Sequence, residues 1–329
     1  MTNTPQNKKV VVIGGGTGTF AILSGLKHYP LDISAVINMT DSGGSTGRLR
    51  DQYGVLPPGD VRQALVALSD SDKIWRKLFL YRFETGDLQG HNFGNILLAA
   101  LEKVTRNFER SIEAAESILN TRGSVIPVTL NKTHLVATLA DGTVIKTEAF
   151  IDVKEQRPRI VNLALIRQTK GNPKAVSAIE KADLIIIAPG DLYTSILPNF
   201  MFKDIVQAFK KSTASKVLVA NLMNKIGQTD DFALSDYIKV YEKYLGPKPF
   251  THALVNDREI PRTIISLYAE SKESSVKCDI RSSEQMTIYK NDFISDHIYG
   301  IGKGDILDRS LLRHDGHKVG KLLRHLFFK

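Results

Sequence analysis

The chain has 329 residues, of which 42% are hydrophobic and 24% are charged, and its formal net charge is +9. This composition is typical of a globular protein, and the single cysteine, Cys278, excludes a disulfide framework and a cysteine-based zinc site. No apolar stretch approaches the roughly 20 residues of a membrane span. The polar residues 1–7 also lack the apolar centre of a signal peptide, so we expect a cytoplasmic protein with no membrane insertion.

The positive charge of the chain has two interpretations. It favours either binding to nucleic acid or an anionic membrane surface, or a basic surface on a protein whose ligand carries phosphates. Lysine and arginine are dispersed, with no run longer than pairs such as Lys8-Lys9, and no stripe of aromatic residues accompanies them. This pattern favours the phosphate ligand, and we expect no nucleic-acid partner.

Strand-like and helix-like patterns alternate through most of the chain. This alternation predicts an α/β fold with a doubly wound, largely parallel, Rossmann-like sheet. The predicted elements, in chain order, are strand 9–13, helix 20–26, strand 33–37, helices 61–68, 92–104 and 111–119, strand 183–188, helix 200–209, strand 216–220, helix 234–244, strand 253–255 and a last short element at 264–268. The polar, glycine-rich stretch 38–59 is interpreted as a long loop.

Two segments depart from this alternation. Asp141-Gly142 separates two β-patterned stretches, 135–139 and 143–150, and Asp-Gly tolerates the positive φ of a type I′ hairpin turn. We therefore predict one nucleotide-binding domain over residues 1–329 with a small antiparallel β insertion at about 125–160. Within the C-terminal segment 271–329, residues 318–328 predict an amphipathic helix, whereas the organisation of 271–309 is left open.

A glycine-rich loop directly follows the first predicted strand. It consists of Gly14, Gly15, Gly16, Thr17 and Gly18. Glycines let backbone N–H groups turn toward an anion, and the start of the next helix adds a favourable dipole. The loop lacks the third glycine of a dinucleotide fingerprint and the lysine of a P-loop. Because a tight turn alone needs only one glycine, the segment predicts phosphate binding.

A second polar segment follows the second predicted strand, where doubly wound folds bind a ribose or a phosphate. Its candidate ligand-binding residues are Asn38, Asp41, Ser42, Gly43, Gly44, Ser45, Thr46 and Arg48. Asp41 is a candidate for a ribose hydroxyl or Mg²⁺, and the other side chains offer donors to phosphate. Residues 43–47 also match a nucleophile elbow, which we reject because no strand leads directly into Ser45. We expect the stretches around Thr17 and Ser45 to face one anionic ligand.

Two further candidate groups lie at predicted helix starts. Asp60 either caps its helix or faces the site as a metal ligand or as an acceptor for a hydroxyl. His91, Asn92 and Asn95 open a helix whose remainder is apolar, which indicates that these side chains point at the site. The alternative for His91 is a structural histidine.

A last cluster follows the predicted strand 183–188, and ligands of open α/β sheets lie beyond the carboxyl ends of strands. Its candidates are Pro189, Gly190, Asp191, Tyr193, Thr194 and Ser195, completed by Asn199 and Asn221. A glycine followed by hydroxyls predicts a second anion cradle. No nucleophile, base and orienting acid can be assembled, so catalytic residues are left unknown.

Taken together, these motifs resemble the gluconeogenesis-factor family of the YvcK/GlmR type, which is related in fold to the CofD-like 2-phospho-L-lactate transferases. The motifs that carry the resemblance are 14–18, 38–60, 78–83, 91–95 and 192–199. The resemblance implies a cytoplasmic binder of UDP-sugars, UDP-N-acetylglucosamine or UDP-glucose, needed for cell shape and wall synthesis on gluconeogenic carbon sources. It also implies nucleotide-sugar contacts from Tyr268 and Arg313, and a regulatory contact with a protein of amino-sugar or wall-precursor synthesis.

Two functions are left open at this point. The first is a UDP-sugar-sensing regulator that requires no cofactor, and the second is a transferase of a phospholactyl-type group in which Asp41 or Asp60 holds Mg²⁺. We favour the regulator because no general base is evident. A homodimer is an open alternative to a monomer, since symmetric dimers are common among soluble proteins.

Overall fold

The computed structural model describes residues 7–297 and 311–328. Within these residues a seven-stranded sheet, with every strand pair parallel, forms the centre of the molecule. Its strands are β1 (Lys8–Gly14), β2 (Leu31–Ile37), β3 (Ser124–Pro127), β7 (Leu184–Ile187), β8 (Ser215–Val219), β9 (His252–Asn256) and β10 (Thr287–Asn291). The order across the sheet is β10-β9-β8-β7-β1-β2-β3. The predicted α/β, doubly wound class is confirmed.

Helices pack against this sheet, against one another and against the β insertion. They are α1 (Gly16–Leu26), α2 (Gly44–Tyr53), α3 (Gly59–Leu68), α4 (Lys73–Leu80), α5 (Phe93–Thr105), α6 (Phe108–Leu119), α7 (Glu148–Ile151), α8 (Pro173–Glu180), α9 (Lys203–Lys211), α10 (Leu234–Leu245), α11 (Arg262–Glu270) and α12 (Gly316–Phe327). The inner strands are continuous apolar runs because both faces of the sheet are covered, and all four residues of β7 are buried. No helix of the described residues is both long and apolar enough to cross a bilayer.

A smaller antiparallel sheet stands apart from the main one. It contains β4 (Leu135–Leu139), β5 (Val144–Lys146) and β6 (Ile160–Leu165) in the order β5-β4-β6. The hairpin turns at Asp141-Gly142, where Gly142 has a φ of +87°. Residues 125–127 belong to β3 of the main sheet, so the insertion begins later than 125 and extends beyond 160.

Several local predictions were wrong, for identifiable reasons. The stretch 38–59 contains α2, which buries Ser45, Thr46, Gly47 and Leu49. Only Leu49 among these is strongly apolar, so the sequence shows no helical pattern of apolar residues. Residues 264–268, predicted only as a short element, lie within the longer helix α11. The strand predicted over 143–150 ends early because α7 begins at Glu148. Of the open segment 271–309, β10 lies in the main sheet, and 298–310 lie outside the described residues.

The first and last helices pack unusually closely. A methyl group on Gly25 of α1 would collide with the carbonyl oxygen of Gly316, and one on Gly316 would collide with that of Ala21. The predicted terminal amphipathic helix is confirmed as α12. It holds the C-terminal half of α1, whose N-terminus carries the glycine-rich loop.

Candidate functional site

A large cavity lies where the strand order of the sheet reverses. β1 pairs with β2 on one side and with β7 on the other, so the connections that leave these strands diverge. The gap between them opens into a cavity of about 550 Å³. This volume lies in the range of roughly 300–1,000 Å³ that is usual for small-molecule sites.

Three helix N-termini converge on this cavity. α1, α2 and α3 have the N-cap residues Gly15, Gly43 and Pro58, and none of the three has a side-chain cap. The cavity lining includes the first turn of each helix. Such uncapped first turns present backbone N–H groups without helical partners, together with the positive end of the helix dipole. The arrangement is suited to an anion.

The approach of the chain segments to one another depends on two glycines. Gly16 has a φ of +68°, which disfavours any residue with a side chain. A methyl group on Gly18 would collide with the carbonyl oxygen of Pro189. The loops after β1 and β7 therefore touch, and both line the same cavity. The expected meeting of the stretches around Thr17 and Ser45 at one cavity is what the structure shows.

A hydrogen-bonded cluster braces the start of α2 from behind. The Oγ atom of Ser45 lies 3.1 Å from Nδ1 of His91 and accepts bonds from the Asn92 amide and the Asn95 side chain. Asn92 also caps α5 by accepting from the Asn95 amide. Burial and the nearby guanidinium groups of Arg48 and Arg82 lower the pKa of His91, so the ring is neutral at physiological pH. Asn95 reaches the cavity, whereas His91 and Asn92 lie behind it.

The loop after β7 is held by two asparagines. The Asn221 side chain bonds both backbone groups of Gly190. It accepts from the Gly190 N–H at 3.3 Å and donates to the Gly190 carbonyl at 2.8 Å. Asn38 donates to the Thr194 carbonyl at 3.0 Å. The Gly190 amide donates to Asn221, so it is not available to an anion. The second anion cradle predicted at this loop would therefore depend on other groups, such as Ser195, which lines the cavity.

One face of the cavity is acidic. Asp41, Asp60, Glu148 and Asp152 all line it, and we call these four residues the acidic wall. Two of them come from the β insertion: Glu148 is the first residue of α7, and Asp152 directly follows its last residue. Oε2 of Glu148 accepts from the Ser42 amide at 3.0 Å and Oδ1 of Asp152 accepts from the Thr194 hydroxyl at 2.9 Å. Thus α7 links the loops that follow β2 and β7.

The carboxyl groups of the acidic wall influence one another. Burial, followed by the negative charges of Asp41, Asp152 and Asp60, raises the pKa of Glu148 well above its usual value. Burial likewise raises the pKa of Asp41, although the Gly43 amide and the Thr46 hydroxyl oppose this by bonding the carboxylate. Each further negative charge placed at this wall is therefore unfavourable.

Lys225 neutralises part of this charge. Its Nζ lies 2.6 Å from Oδ1 of Asp152 and 2.7 Å from Oδ2 of Asp191. Burial by itself lowers the pKa of Lys225, but the two carboxylates outweigh it and raise the pKa above its usual value. The ammonium group therefore remains charged and ties the insertion to the loops after β7 and β8.

The opposite end of the cavity is built by the C-terminal part of the chain. The Tyr268 hydroxyl accepts from the Leu312 amide at 2.9 Å, and Arg313 and His314 line the cavity beside it. His314 is buried, and its Nε2 donates to the Ala220 carbonyl at 3.1 Å. Burial lowers the pKa of His314 to about 4. A neutral histidine thus fixes the backbone next to Arg313.

The structure brings most of the sequence-predicted residues to one cavity. Those that line it are Gly15, Gly16, Thr17, Gly18, Asn38, Asp41, Gly43, Gly44, Ser45, Thr46, Asp60, Asn95, Pro189, Gly190, Asp191, Thr194, Ser195, Asn221, Tyr268 and Arg313. Those outside the lining are Gly14, Ser42, Arg48, His91, Asn92, Tyr193 and Asn199. Several of the latter support it: Ser42 binds Glu148, Arg48 donates to the Gln89 carbonyl, and Tyr193 donates to the Ile160 carbonyl.

Sequence reasoning missed a group of lining residues with ionisable side chains. They are Arg62, Arg82, Glu148, Asp152, Lys154, Lys225, Glu273 and His314. The buried Arg62 follows Asp60 in the same helix, and its Nε donates to the Asn95 side chain at 2.8 Å. The position of Arg62 among the buried apolar residues of α3 was a signal that could have identified it. No local pattern marks Glu148, Asp152 or Lys225.

Asp41 and Asp60 fit a magnesium ion only together with a ligand. No group of three or more His, Cys, Asp or Glu side chains able to hold a metal occurs among residues 7–297 and 311–328. Mg²⁺ often binds through one or two carboxylates while substrate phosphates and water complete its shell. Both carboxylates face the uncapped helix starts, so they would hold the ion beside a bound phosphate.

Known proteins resemble this chain in both sequence and fold. A family model described as 2-phospho-L-lactate transferase CofD matches residues 10–294. The curated gluconeogenesis factor of Bacillus subtilis is 38% identical over 319 residues, which cover 97% of this chain and 98% of the relative. The putative gluconeogenesis factor of Aquifex aeolicus is 39% identical over 322 residues, with 95% of each chain covered. A crystal structure of a UPF0052 family protein from Bacillus halodurans has a TM-score of 0.87 and 35% identity, covering 96% of this chain and 99% of that one.

The fold, the cavity at the strand-order reversal and the family model together define a CofD-like α/β protein. Within this class, the relatives that match nearly the whole of this chain share the name gluconeogenesis factor. The chain belongs to the gluconeogenesis factor family.

Proposed function

We propose that the cavity binds a UDP-sugar, such as UDP-N-acetylglucosamine or UDP-glucose, and that the protein is a cytoplasmic regulator controlled by this ligand. The diphosphate would lie at the N-termini of α1, α2 and α3. The nucleoside would lie toward Tyr268 and Arg313. In the bound state the protein would contact an enzyme of amino-sugar or wall-precursor synthesis and adjust its activity.

The observation that carries this proposal is the convergence of three uncapped helix N-termini on one cavity. Their N–H groups suit a ligand with several adjacent anionic oxygens, because each first turn offers donors that no protein side chain caps. An aromatic ring and a guanidinium at one end suit a base and a phosphate. The gluconeogenesis factor names of the relatives fit a role in carbon supply rather than in one defined reaction.

Replacement of Thr17, in the first turn of α1, tests the binding site. We expect Thr17→Glu to weaken UDP-N-acetylglucosamine binding by roughly tenfold or more in calorimetry, because a carboxylate would occupy the anion position. The same change stabilises a helix N-terminus through the dipole, so the loss would not come from unfolding. Thr17→Gln is the matched neutral control and should retain most of the affinity.

The ligand series completes this test. Uridine, which lacks the diphosphate, should bind far more weakly than UDP and UDP-N-acetylglucosamine. Absence of heat and of any thermal shift with millimolar UDP-N-acetylglucosamine would contradict the proposal. Equal affinities of the Thr17→Glu and Thr17→Gln variants would show that the ligand binds elsewhere.

The regulatory role has its own readout in cells. A strain that lacks the protein should grow poorly or lose its shape on a gluconeogenic carbon source. The Thr17→Gln variant should restore growth and the Thr17→Glu variant should not. Restoration by both variants would separate the cellular role from ligand binding.

A second candidate function is supported by the carboxylates of Asp41 and Asp60 at the helix starts. In this case the protein would transfer a phospholactyl-type group from a nucleotide diphosphate donor, and the carboxylates would hold Mg²⁺ to neutralise the leaving diphosphate. The candidate predicts a Mg²⁺-dependent product, detectable by mass spectrometry, that Asp60→Asn abolishes. Metal-independent binding without any product would exclude it.

A further inference from the structure

The contacts around the cavity order its lining from one end to the other. Tyr268 and Arg313 lie at one end, where the Leu312 amide bonds Tyr268 and the neighbouring His314 bonds the carbonyl of Ala220, the residue before Asn221. Asn221 holds Gly190, which touches the glycine-rich loop at the start of α1. That loop abuts Asp60, and beyond it Asp41 and Glu148 of the acidic wall meet the start of α2.

The acidic wall lies at the far end of this path. The negative charges of Asp41, Asp152 and Asp60 act on Glu148, and together with burial they raise its pKa. Lys225 is shared by two carboxylates, Asp152 and Asp191, so it offsets only part of the negative charge. Glu148 and Asp152 both line the cavity. Carboxylate oxygens accept readily from hydroxyl and amide N–H groups but repel a second carboxylate.

We infer that the acidic wall determines which sugar the protein accepts, and that it selects an uncharged hexose and rejects a hexuronic acid. This inference rests on the proposed binding of a nucleoside diphosphate sugar. With the nucleoside at Tyr268 and the diphosphate at the start of α1, the sugar reaches Asp41 and Glu148. Its hydroxyls donate to these carboxylates, whereas a sugar carboxylate would add a further negative charge beside them.

Two commercially common ligands separate this inference from simple size selection. UDP-glucose and UDP-glucuronate differ only in the replacement of a hydroxymethyl group by a carboxylate. In calorimetry with the full chain, in EDTA and low salt, we expect UDP-glucuronate to bind more weakly by roughly tenfold or more. High salt screens charges, so the ratio of the two dissociation constants should fall as ionic strength rises toward 1 M.

A single neutralising substitution should also reduce the ratio. Glu148→Gln removes the ionisable carboxyl group but keeps a side-chain oxygen that can accept from the Ser42 amide. We expect the preference for UDP-glucose to fall at least threefold, mainly through tighter binding of UDP-glucuronate. Asp70→Asn is the matched control, because it changes the net charge equally but pairs with Arg122 at the surface. The control should leave the ratio unchanged.

The possible outcomes distinguish this inference from the proposed function. If neither ligand binds, the proposed function itself is wrong. If both bind equally well, or if the preference survives both high salt and Glu148→Gln, the acidic wall does not select the sugar, although the site remains. Should Glu148→Gln fail to fold, the salt dependence of the wild-type ratio decides.

Discussion

At the scale of single residues, His314 shows how burial sets a protonation state. The ring is neutral because its pKa falls to about 4 in the folded protein, from a usual value of 6.5. A histidine whose pKa is lowered by folding contributes its full stability above the unfolded pKa. That stability is lost as the pH falls from 6.5 toward 4, since the unfolded chain then binds the proton more tightly.

This shift predicts acid sensitivity of the C-terminal end of the cavity. We expect the melting temperature to fall between pH 6.5 and pH 4.5. The free energy of unfolding should fall by on the order of 3 kcal/mol at the lowest pH. His314→Gln keeps a donor for the Ala220 carbonyl but cannot take up a proton. Thermal unfolding of this variant should therefore depend less on pH in that window. Parallel curves for both proteins would contradict the assignment.

Glu148 illustrates a residue whose role no neighbouring residue announces. It lies 106 positions from Ser42, yet it accepts from the Ser42 amide. The sequence predicted Ser42 as a phosphate ligand, but its amide and hydroxyl are engaged by the insertion. Side chains such as these are identified only after folding, because the contact joins two elements with independent local patterns.

At the scale of elements, the contact between α1 and α12 predicts a steric effect on stability. Gly25→Ala should lower stability by about 1–3 kcal/mol, because the added methyl group forces the two helix backbones apart. Thermal or denaturant unfolding measures this change. Ser24→Ala is the control one position away. The Ser24 hydroxyl is buried without a hydrogen-bond partner, so its removal should cost little.

A destabilisation by Ser24→Ala as large as that by Gly25→Ala would show that any change in α1 matters, rather than the close contact. Because α1 also carries the glycine-rich loop, Gly25→Ala should weaken ligand binding less than it weakens folding. The N-terminus of α1 lies at the cavity, whereas Gly25 lies at the C-terminal end of the same helix.

Elements with a strong period were predicted well. The apolar runs of β1, β7, β8 and β9 and the amphipathic pattern of α12 were identified because a buried strand or a one-sided helix leaves a local imprint. α2 was taken for part of a loop, since glycines and hydroxyls dominate it. β3 and β6 were missed because short strands flanked by an insertion carry few periodic residues.

At the scale of the whole molecule, the cavity joins regions that are distant along the chain. Loops after β1, β2, β7 and β8 line it together with α7 of the insertion and the segment before α12. A ligand that contacts all of them would stabilise the folded state as one unit. At a ligand concentration of about 100 times the dissociation constant, the gain is ~2.7 kcal/mol.

Hydrogen exchange can test this coupling. We expect a saturating UDP-sugar to raise the melting temperature and to slow amide exchange in 16–18, 44–46, 148–152 and 312–314 together. The amides of α8, which lies outside the cavity lining, serve as an internal reference. Protection confined to one of the four segments would show that the ligand occupies only part of the cavity.

The sequence by itself determined the α/β class, the glycine-rich loop after β1, the polar segments after β2 and β7, and the hairpin at Asp141-Gly142. Each depends on a local requirement: an apolar run for a strand covered on both faces, or a glycine where the backbone must turn or approach closely. These requirements are visible in a few consecutive residues.

Only the tertiary structure decided which of these groups face one cavity and what charge they meet there. The acidic wall and Lys225 are brought together by the docking of α7 against loops from two other strands. Electrostatic interactions depend on distance in space and on burial, and neither is encoded in the spacing of residues along the chain. For this reason the sequence predicted an anion site with Asp41 and Asp60, whereas the structure revealed Glu148 and Asp152 beside them.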